Sequence, residues 1–214
     1  MEIICLIVGD LQTNCYLVTD STTRQTLIID PGDEADFIST TLLEKKLKPQ
    51  AIILTHGHYD HCLGVLELKL NFNLPIYLHQ ADNFLYQKAH QSAKHFSNVK
   101  IPKLPPIDHF LTNNQKITFG QSSLYIVHTP GHTPGSCCFL VAPVKGRFGE
   151  AERGFVFTGD TLFATGPGKA DHSYSSKPNL QNSIKKISNI CDLSSETYLY
   201  PGHEDYEFLL SNQS

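Results

Sequence analysis

No stretch of this 214-residue sequence approaches the ~20 consecutive apolar residues that a membrane helix needs, so no membrane partner is expected. Positive charge is not in excess either: 17 Lys+Arg stand against 21 Asp+Glu, a formal net charge of -4. That balance offers no broad attraction to nucleic acid, and no nucleic-acid partner is expected. The opening Met1 to Val8 holds an acidic residue and a short apolar run without the basic region or length of a secretory signal, which points to a cytoplasmic protein. The six cysteines (Cys5, Cys15, Cys62, Cys137, Cys138, Cys191) contain no CxxC pair and no close set of four, which excludes a zinc ribbon or a thioredoxin-type redox site. Reduced, mostly buried thiols are expected instead. No internal repeat or low-complexity tract interrupts the chain.

What is present suits a substantial core: 40% of residues are hydrophobic and 18% charged, and the length favours one globular unit over residues 1–214. Short apolar runs at Ile3 to Val8, Asn14 to Val18 and Thr26 to Ile29, separated by polar turns, read as a β-meander. Ala35 to Lys46 carries Phe37, Ile38, Leu42 and Leu43 at roughly helical spacing. A buried strand at Ala51 to Leu54 precedes a helix over Leu63 to Leu70, with Leu63, Leu66 and Leu70 on one face. A strand at Pro75 to Leu78 and a helix at Ala81 to His90 come next, then an irregular Ser92 to Asp108 with three prolines. Further strands are expected at Gln115 to Phe119, Leu124 to Val127, Cys137 to Val141, Phe155 to Phe157 and Tyr198 to Tyr200. A loop fits Lys145 to Arg153 and a helix Leu180 to Ile190. Strand runs interrupted by helices indicate an α+β protein with two sheets and helices outside them.

Eleven histidines are the compositional oddity, and their placement is informative because neutral imidazole is the commonest metal ligand. Thr55-His56-Gly57-His58-Tyr59-Asp60-His61 follows an apolar strand directly. In an extended segment residues two apart point the same way, so His56 and His58 can converge on one ion. A helical turn beginning near Asp60 redirects Asp60 and His61 toward a second position, and Gly57 is read as removing a side chain that would crowd the ions. His132, Asp160 and His203 each sit beside glycine in a loop after a strand, which is where a scaffold presents functional groups. The count assigns His56, His58 and His132 to one ion and Asp60, His61 and His203 to another, with Asp160 bridging. Mixed nitrogen and oxygen donors without thiolate suit two divalent ions, with Zn2+ the first choice and Fe2+ or Mn2+ the others. Such a pair, roughly 3.5 to 4 Å apart, holds a hydroxide and polarises a carbonyl or phosphoryl oxygen.

The His-x-His-x-Asp-His run with the later His132, Asp160 and His203 resembles the metallo-β-lactamase fold superfamily. Leu11 to Tyr16, Asp30-Pro31-Gly32, Thr129 to Ser136, Gly159 to Phe163 and Pro201 to Glu204 are similar to its hydroxyacylglutathione hydrolase (glyoxalase II) branch, so the likeness covers nearly the whole chain. It implies an αββα sandwich of two mixed sheets flanked by helices, and hydrolysis of a small thioester such as S-lactoylglutathione. It also implies the same seven ligands, with Asp60 able to orient the hydroxide. The chain ends eleven residues after His203, like the single-domain bacterial members. Lys169 occupies the position where some two-domain members contact glutathione, and is the candidate substrate-binding residue. Asp30 and Thr55 are read as supporting the site, His128 and Cys62 as packing, and His172 as a residue able to reach it. The competing activities are a mononuclear iron persulfide dioxygenase, a lactonase or phosphodiesterase of the same fold, and a metal-binding interaction module without turnover.

Overall fold

The computed structural model describes residues 1–144, 153–190, 197–204 and 208–209. Of the loop expected over Lys145 to Arg153, all but Arg153 lies outside these residues. Glu2–Val8 (β1), Thr13–Thr19 (β2) and Gln25–Ile29 (β3) form the antiparallel meander. Lys48–Ile53 (β4), Ile76–His79 (β5) and His109–Leu111 (β6) add to it in parallel, completing a six-stranded mixed sheet in sequential order. The second sheet begins with Lys116–Phe119 (β7), Ser122–His128 (β8), Cys137–Val144 (β9) and Arg153–Gly159 (β10), each antiparallel to the last. A small hairpin of Leu162–Phe163 (β11) and Gly166–Pro167 (β12) leaves the sheet after Gly159. Thr197–Pro201 (β13) then lies parallel to β10, and Phe208–Leu209 (β14) pairs antiparallel with β13 at the edge.

Strand alternation explains the layering. Tyr16, Val18, Leu27, Ile29, Ala51 and Ile53 point to a core shared with Leu124, Ile126, Phe139, Val141, Phe157 and Tyr200 of the second sheet. Their neighbours Cys15, Leu17, Ile28, Ile52 and Leu54 face the opposite way, into a separate core capped by helices. Each central strand is buried on both faces, so it reads as a continuous apolar run. The helices over the first sheet are Ala35–Glu44 (α1), Val65–Phe72 (α2), Asn83–Gln87 (α3) and Ala89–Phe96 (α4). Lys177–Ile190 (α5) covers the second sheet, where Ile187 packs on Val127, Cys138, Val156 and Leu199. The result is the expected αββα sandwich.

Three local expectations differ. The helix α2 starts two residues late and buries Val65 and Leu68, while Leu70 is 74% exposed. Apolar residues occur on more than one face of that helix, and Val65 and Leu68 are the pair that inserts. Ser92 to Phe96, expected to be irregular, continues helically as α4, because Ala89 and Ala93 bury one turn apart against the core and the prolines come later. The strand β6 falls where no strand is expected: only Leu111 is buried, so the segment carries no alternating apolar signal.

The two sheets are also stitched by polar groups. Asp20, at the turn between β2 and β3, accepts hydrogen bonds from the Thr23 amide and hydroxyl, the Gln121 amide and the Ser122 hydroxyl. No described helix is long and apolar enough to cross a membrane.

Candidate metal centre

All seven predicted ligands gather at one edge of the sandwich, on segments that leave strand ends. His56 and His58 follow β4, Asp60 and His61 sit on a 3-10 turn spanning Tyr59–His61, His132 follows β8, Asp160 follows β10 and His203 follows β13. Among the described residues, His56, His58 and His132 bring donor atoms within 4.8 Å of one another, and so do Asp60, His61 and His203. In the first trio the His58 Nδ1 lies 3.0 Å from both His56 Nε2 and His132 Nε2. In the second, His61 Nε2 is 3.2 Å from His203 Nε2, and Asp60 Oδ2 is 3.3 Å from His203 Nε2.

These close nitrogens are better read as lone pairs facing one another than as imidazole pairs. The outer nitrogen of each ring meets an acceptor. His132 Nδ1 donates to the Lys169 carbonyl at 2.7 Å, His203 Nδ1 to the Leu11 carbonyl at 3.0 Å and His61 Nδ1 to Asp30 Oδ2 at 3.0 Å. His58 Nε2 donates to the Tyr174 hydroxyl at 2.9 Å. His56 Nδ1 donates to Thr55 Oγ1, whose own proton goes to Asp30 Oδ2. A neutral imidazole carries one proton, so with the outer nitrogen protonated the inner one is a bare acceptor. In the first trio this aims three acceptors at one point that no donor fills, and a cation is what satisfies that arrangement.

Asp160 joins the halves: its Oδ2 lies 3.5 Å from His132 Nε2, while its Oδ1 lies 3.5 Å from His61 Nε2 and 3.8 Å from His203 Nε2. Oδ1 is buried without a hydrogen-bond partner, an unsatisfied charge-bearing oxygen that again fits a cation. Gly202 is required beside it, since a Cβ there would fall 2.4 Å from that oxygen. Asp30, His56 and His61 form a third trio whose donor atoms lie within 4.8 Å of one another. Asp30 is already committed: it takes the Thr55 amide at 2.7 Å as well as the Thr55 hydroxyl and His61, and it reaches them from a left-handed backbone (φ 49°). It holds His61 and the Thr55–His56 segment in place, the supporting role its sequence position suggests.

The electrostatics divide the same way. Burial, reinforced by the neighbouring rings, pushes His56 well below the usual imidazole range and His58 down to about 3, so both are neutral and ready to coordinate. Burial opposes charge on His61 too, but Asp160, Asp60 and Asp30 outweigh it and lift its pKa to about 10, so without an ion its Nε2 holds a proton that a cation would displace. Asp60 is itself buried, yet His61 and His203 hold it below the ordinary carboxylate range. The second position therefore carries more carboxylate charge than the first, which has only its share of Asp160.

Two residues with clear roles escaped the sequence reading. Asp82 is fully buried and accepts from the Gly57 amide at 2.9 Å, the Thr133 hydroxyl at 2.6 Å and the Gly135 amide at 2.6 Å, clamping the His56–His58 segment to the His132 loop. Gly57 serves this clamp. A Cβ there would meet the Asp82 carbonyl at 2.7 Å and Leu85 at 3.0 Å, so the glycine makes room for these residues and not for the ions. Tyr174 is the other, through its bond to His58. Asn14 and Tyr16, within the Leu11 to Tyr16 motif, both donate to the Pro201 carbonyl and so fix the loop that presents His203.

The remaining candidates sort readily. His128 Nε2 donates to the Pro134 carbonyl, 2.9 Å away, and the ring stacks on His79 with centroids 4.1 Å apart, away from the trios. Cys62 is buried, and burial raises its thiol well above the ordinary range, which suits packing. His172 does approach, its ring 5.4 Å from that of His58. An open cleft of about 390 Å³ lies over the trios, lined by Leu11, Tyr59, Phe96, Lys169, His172 and Tyr174 among others.

A family model described as the metallo-beta-lactamase superfamily matches residues 8–203. The hydroxyacylglutathione hydrolase GloC of Haemophilus influenzae is 30% identical, over 96% of this chain and 92% of its own. Among solved structures, the B3 metallo-beta-lactamase BLEG-1 aligns with a TM-score of 0.84 at 30% identity, covering 99% of this chain and 96% of that one. TTHA1623, solved in a di-iron-bound form, gives 0.80 at 32% identity, with 97% and 95% covered. The match spans both sheets and every strand-end loop that carries a donor. This chain belongs to the metallo-β-lactamase superfamily, as one of its metal-dependent hydrolases.

Proposed function

We propose that the chain hydrolyses a small thioester, with S-lactoylglutathione as the reference substrate, at a binuclear site held by His56, His58, His132, Asp60, His61, His203 and the shared Asp160. The observation that carries the reading is Asp160, whose two oxygens face separate groups of inward-pointing donors. Two divalent ions, with Zn2+ preferred and Fe2+ the choice suggested by the di-iron relative, supply Lewis acidity toward a carbonyl and acidify water when bound. Ionised Asp60 borders the cleft and orients the attacking water by accepting a hydrogen bond from it. A thiolate leaves without prior protonation because thiols are far more acidic than alcohols, so the reaction asks for no general acid. Lys169, exposed on the cleft wall, pairs with a substrate carboxylate. The similarity to GloC supports the thioester class. Free thiols at Cys5, Cys15, Cys62, Cys137 and Cys138 suit a reducing cytoplasmic setting.

The test is metal analysis and a substrate panel on one preparation. Two ions per chain with turnover of S-lactoylglutathione are expected. A protein that holds two ions yet opens only β-lactams, lactones or phosphodiesters overturns the substrate assignment, and oxygen uptake with a single iron overturns the reaction.

A further inference from the structure

The cleft over the two trios has two chemically different walls. One is polar: Lys169, His172 and Tyr174 stand next to the first trio, to which the Lys169 carbonyl and the Tyr174 hydroxyl are directly bonded through His132 and His58. The other is apolar and adjoins the second trio. Leu11 belongs to it, its carbonyl bonded to His203, and so do Tyr59, which immediately precedes Asp60, and Phe96 of α4. Tyr59 and Phe96 stack with centroids 6.3 Å apart and planes 11° from parallel, and the Tyr59 hydroxyl is tied to Ser97 at 2.7 Å. This wall is built and held, yet Phe96 is 68% exposed and Leu11 49% exposed. Single exposed apolar residues are ordinary, but several sharing one wall of a cleft beside reactive groups mark a surface that is covered by a ligand.

We infer that the Leu11–Tyr59–Phe96 wall takes the acyl chain, so that thioesters of apolar, medium-length acyl groups are preferred over short hydroxyacyl ones. This rests on the thioester reading and specifies its substrate. The carbonyl lies between the trios, the thiol portion with its carboxylate extends toward Lys169, and the alkyl chain runs along Tyr59 and Phe96. A lactoyl group is too short and too polar to cover that wall. A chain of several methylenes covers it, and each one removed from water adds to binding.

The experiment compares S-hexylglutathione with S-methylglutathione by calorimetry, using thioethers that cannot be hydrolysed, and S-hexanoylglutathione with S-lactoylglutathione in turnover. Since each buried methylene strengthens binding about three- to fourfold at full burial, even a half-covered chain predicts at least roughly tenfold preference for the hexyl over the methyl thioether, and at least about fivefold for the hexanoyl over the lactoyl thioester. Phe96→Ser brings both preferences to within about threefold, whereas Leu70→Ser, at an exposed apolar residue of α2 outside the cleft, leaves them intact. Equal affinity of the two thioethers, or no binding of either, overturns the inference. Chain-dependent binding without cleavage of any thioester supports the wall and sinks the proposed reaction. Thioester cleavage indifferent to chain length sinks the wall and keeps the reaction.

Discussion

The Tyr174 hydroxyl meets His58 Nε2 at 2.9 Å across 116 residues of sequence. His58 can place Nδ1 between His56 and His132 only if its proton sits on Nε2, and Tyr174 is the acceptor that keeps it there. Burial pushes the phenol up to about 12, so near neutrality its oxygen is part of a neutral hydroxyl with a free lone pair. Tyr174 also stacks on His172 with planes 14° from parallel and meets Phe84 edge-on, which fixes the ring.

Replacing Tyr174 by Phe keeps that packing and removes the acceptor. Outer partners of metal-bound histidines typically contribute roughly 10- to 100-fold in affinity, so Tyr174→Phe is expected to weaken one of two bound ions by that factor. Chelator competition followed by metal analysis reads it directly. Two ions held as tightly as in the unmodified protein would show that His58 needs no such orientation.

Asp82→Ala tests the clamp. It strips the Gly57 amide, the Thr133 hydroxyl and the Gly135 amide of their shared acceptor in a fully buried position. Unpaired buried donors cost about 1–3 kcal/mol each, and with Thr133 still able to bond the Ser136 hydroxyl the two amides put the loss at roughly 2–4 kcal/mol after partial relaxation. Thermal unfolding with the metal removed isolates this from any loss of ligation. A change below about 1 kcal/mol would mean that water replaces the carboxylate.

The contrast between the visible and the hidden parts of this site is physical. His56, His58, Asp60 and His61 lie within six positions, so strand alternation and one tight turn suffice to aim them, and both are local properties. His132, Asp160 and His203 announce themselves by glycine-flanked loops after apolar strands. Asp82 has no such mark: it is one acidic residue at the start of a helical-looking stretch, and its partners are 25, 51 and 53 residues away. Tyr174 comes five residues after Lys169 and reaches the cleft through a loop whose path local pattern does not encode. The sandwich was legible because its strands bury both faces. The α2 register was not, since Leu63, Leu66 and Leu70 fit helical spacing as well as the Val65 and Leu68 that actually insert.

Asp160→Asn and Asp160→Ala separate charge from shape. The carboxylate has one oxygen toward each trio, and Oδ1 has no partner of its own. Either change leaves the described core untouched, so the fold should survive while ion binding weakens at both positions and turnover falls by at least about a hundredfold. Circular dichroism alongside metal stoichiometry checks the pair of outcomes. Retention of two ions with full activity in Asp160→Ala would remove Asp160 from the centre.

Asp20 makes a prediction about acid stability that is independent of the metal centre. Burial by itself would raise its pKa, but the Thr23, Ser122 and Gln121 donors outweigh that and lower it from 3.8 to about 2. A carboxylate depressed in the folded state adds stability that is fully present above the unfolded pKa and is lost as pH falls through the folded one. The window here is pH 4 down to pH 2. Asp20→Asn should therefore be less stable than the unmodified protein at pH 7 by roughly 1.5–3 kcal/mol, the worth of hydrogen bonds to a charged group. The gap should narrow steadily below pH 4, because protonation makes the native carboxyl resemble the amide. Urea unfolding of metal-free protein at pH 7, 5, 4 and 3 measures this difference, and a gap that stays constant across the series would mean that the link between Asp20 and the Gln121–Ser122 turn does not depend on charge.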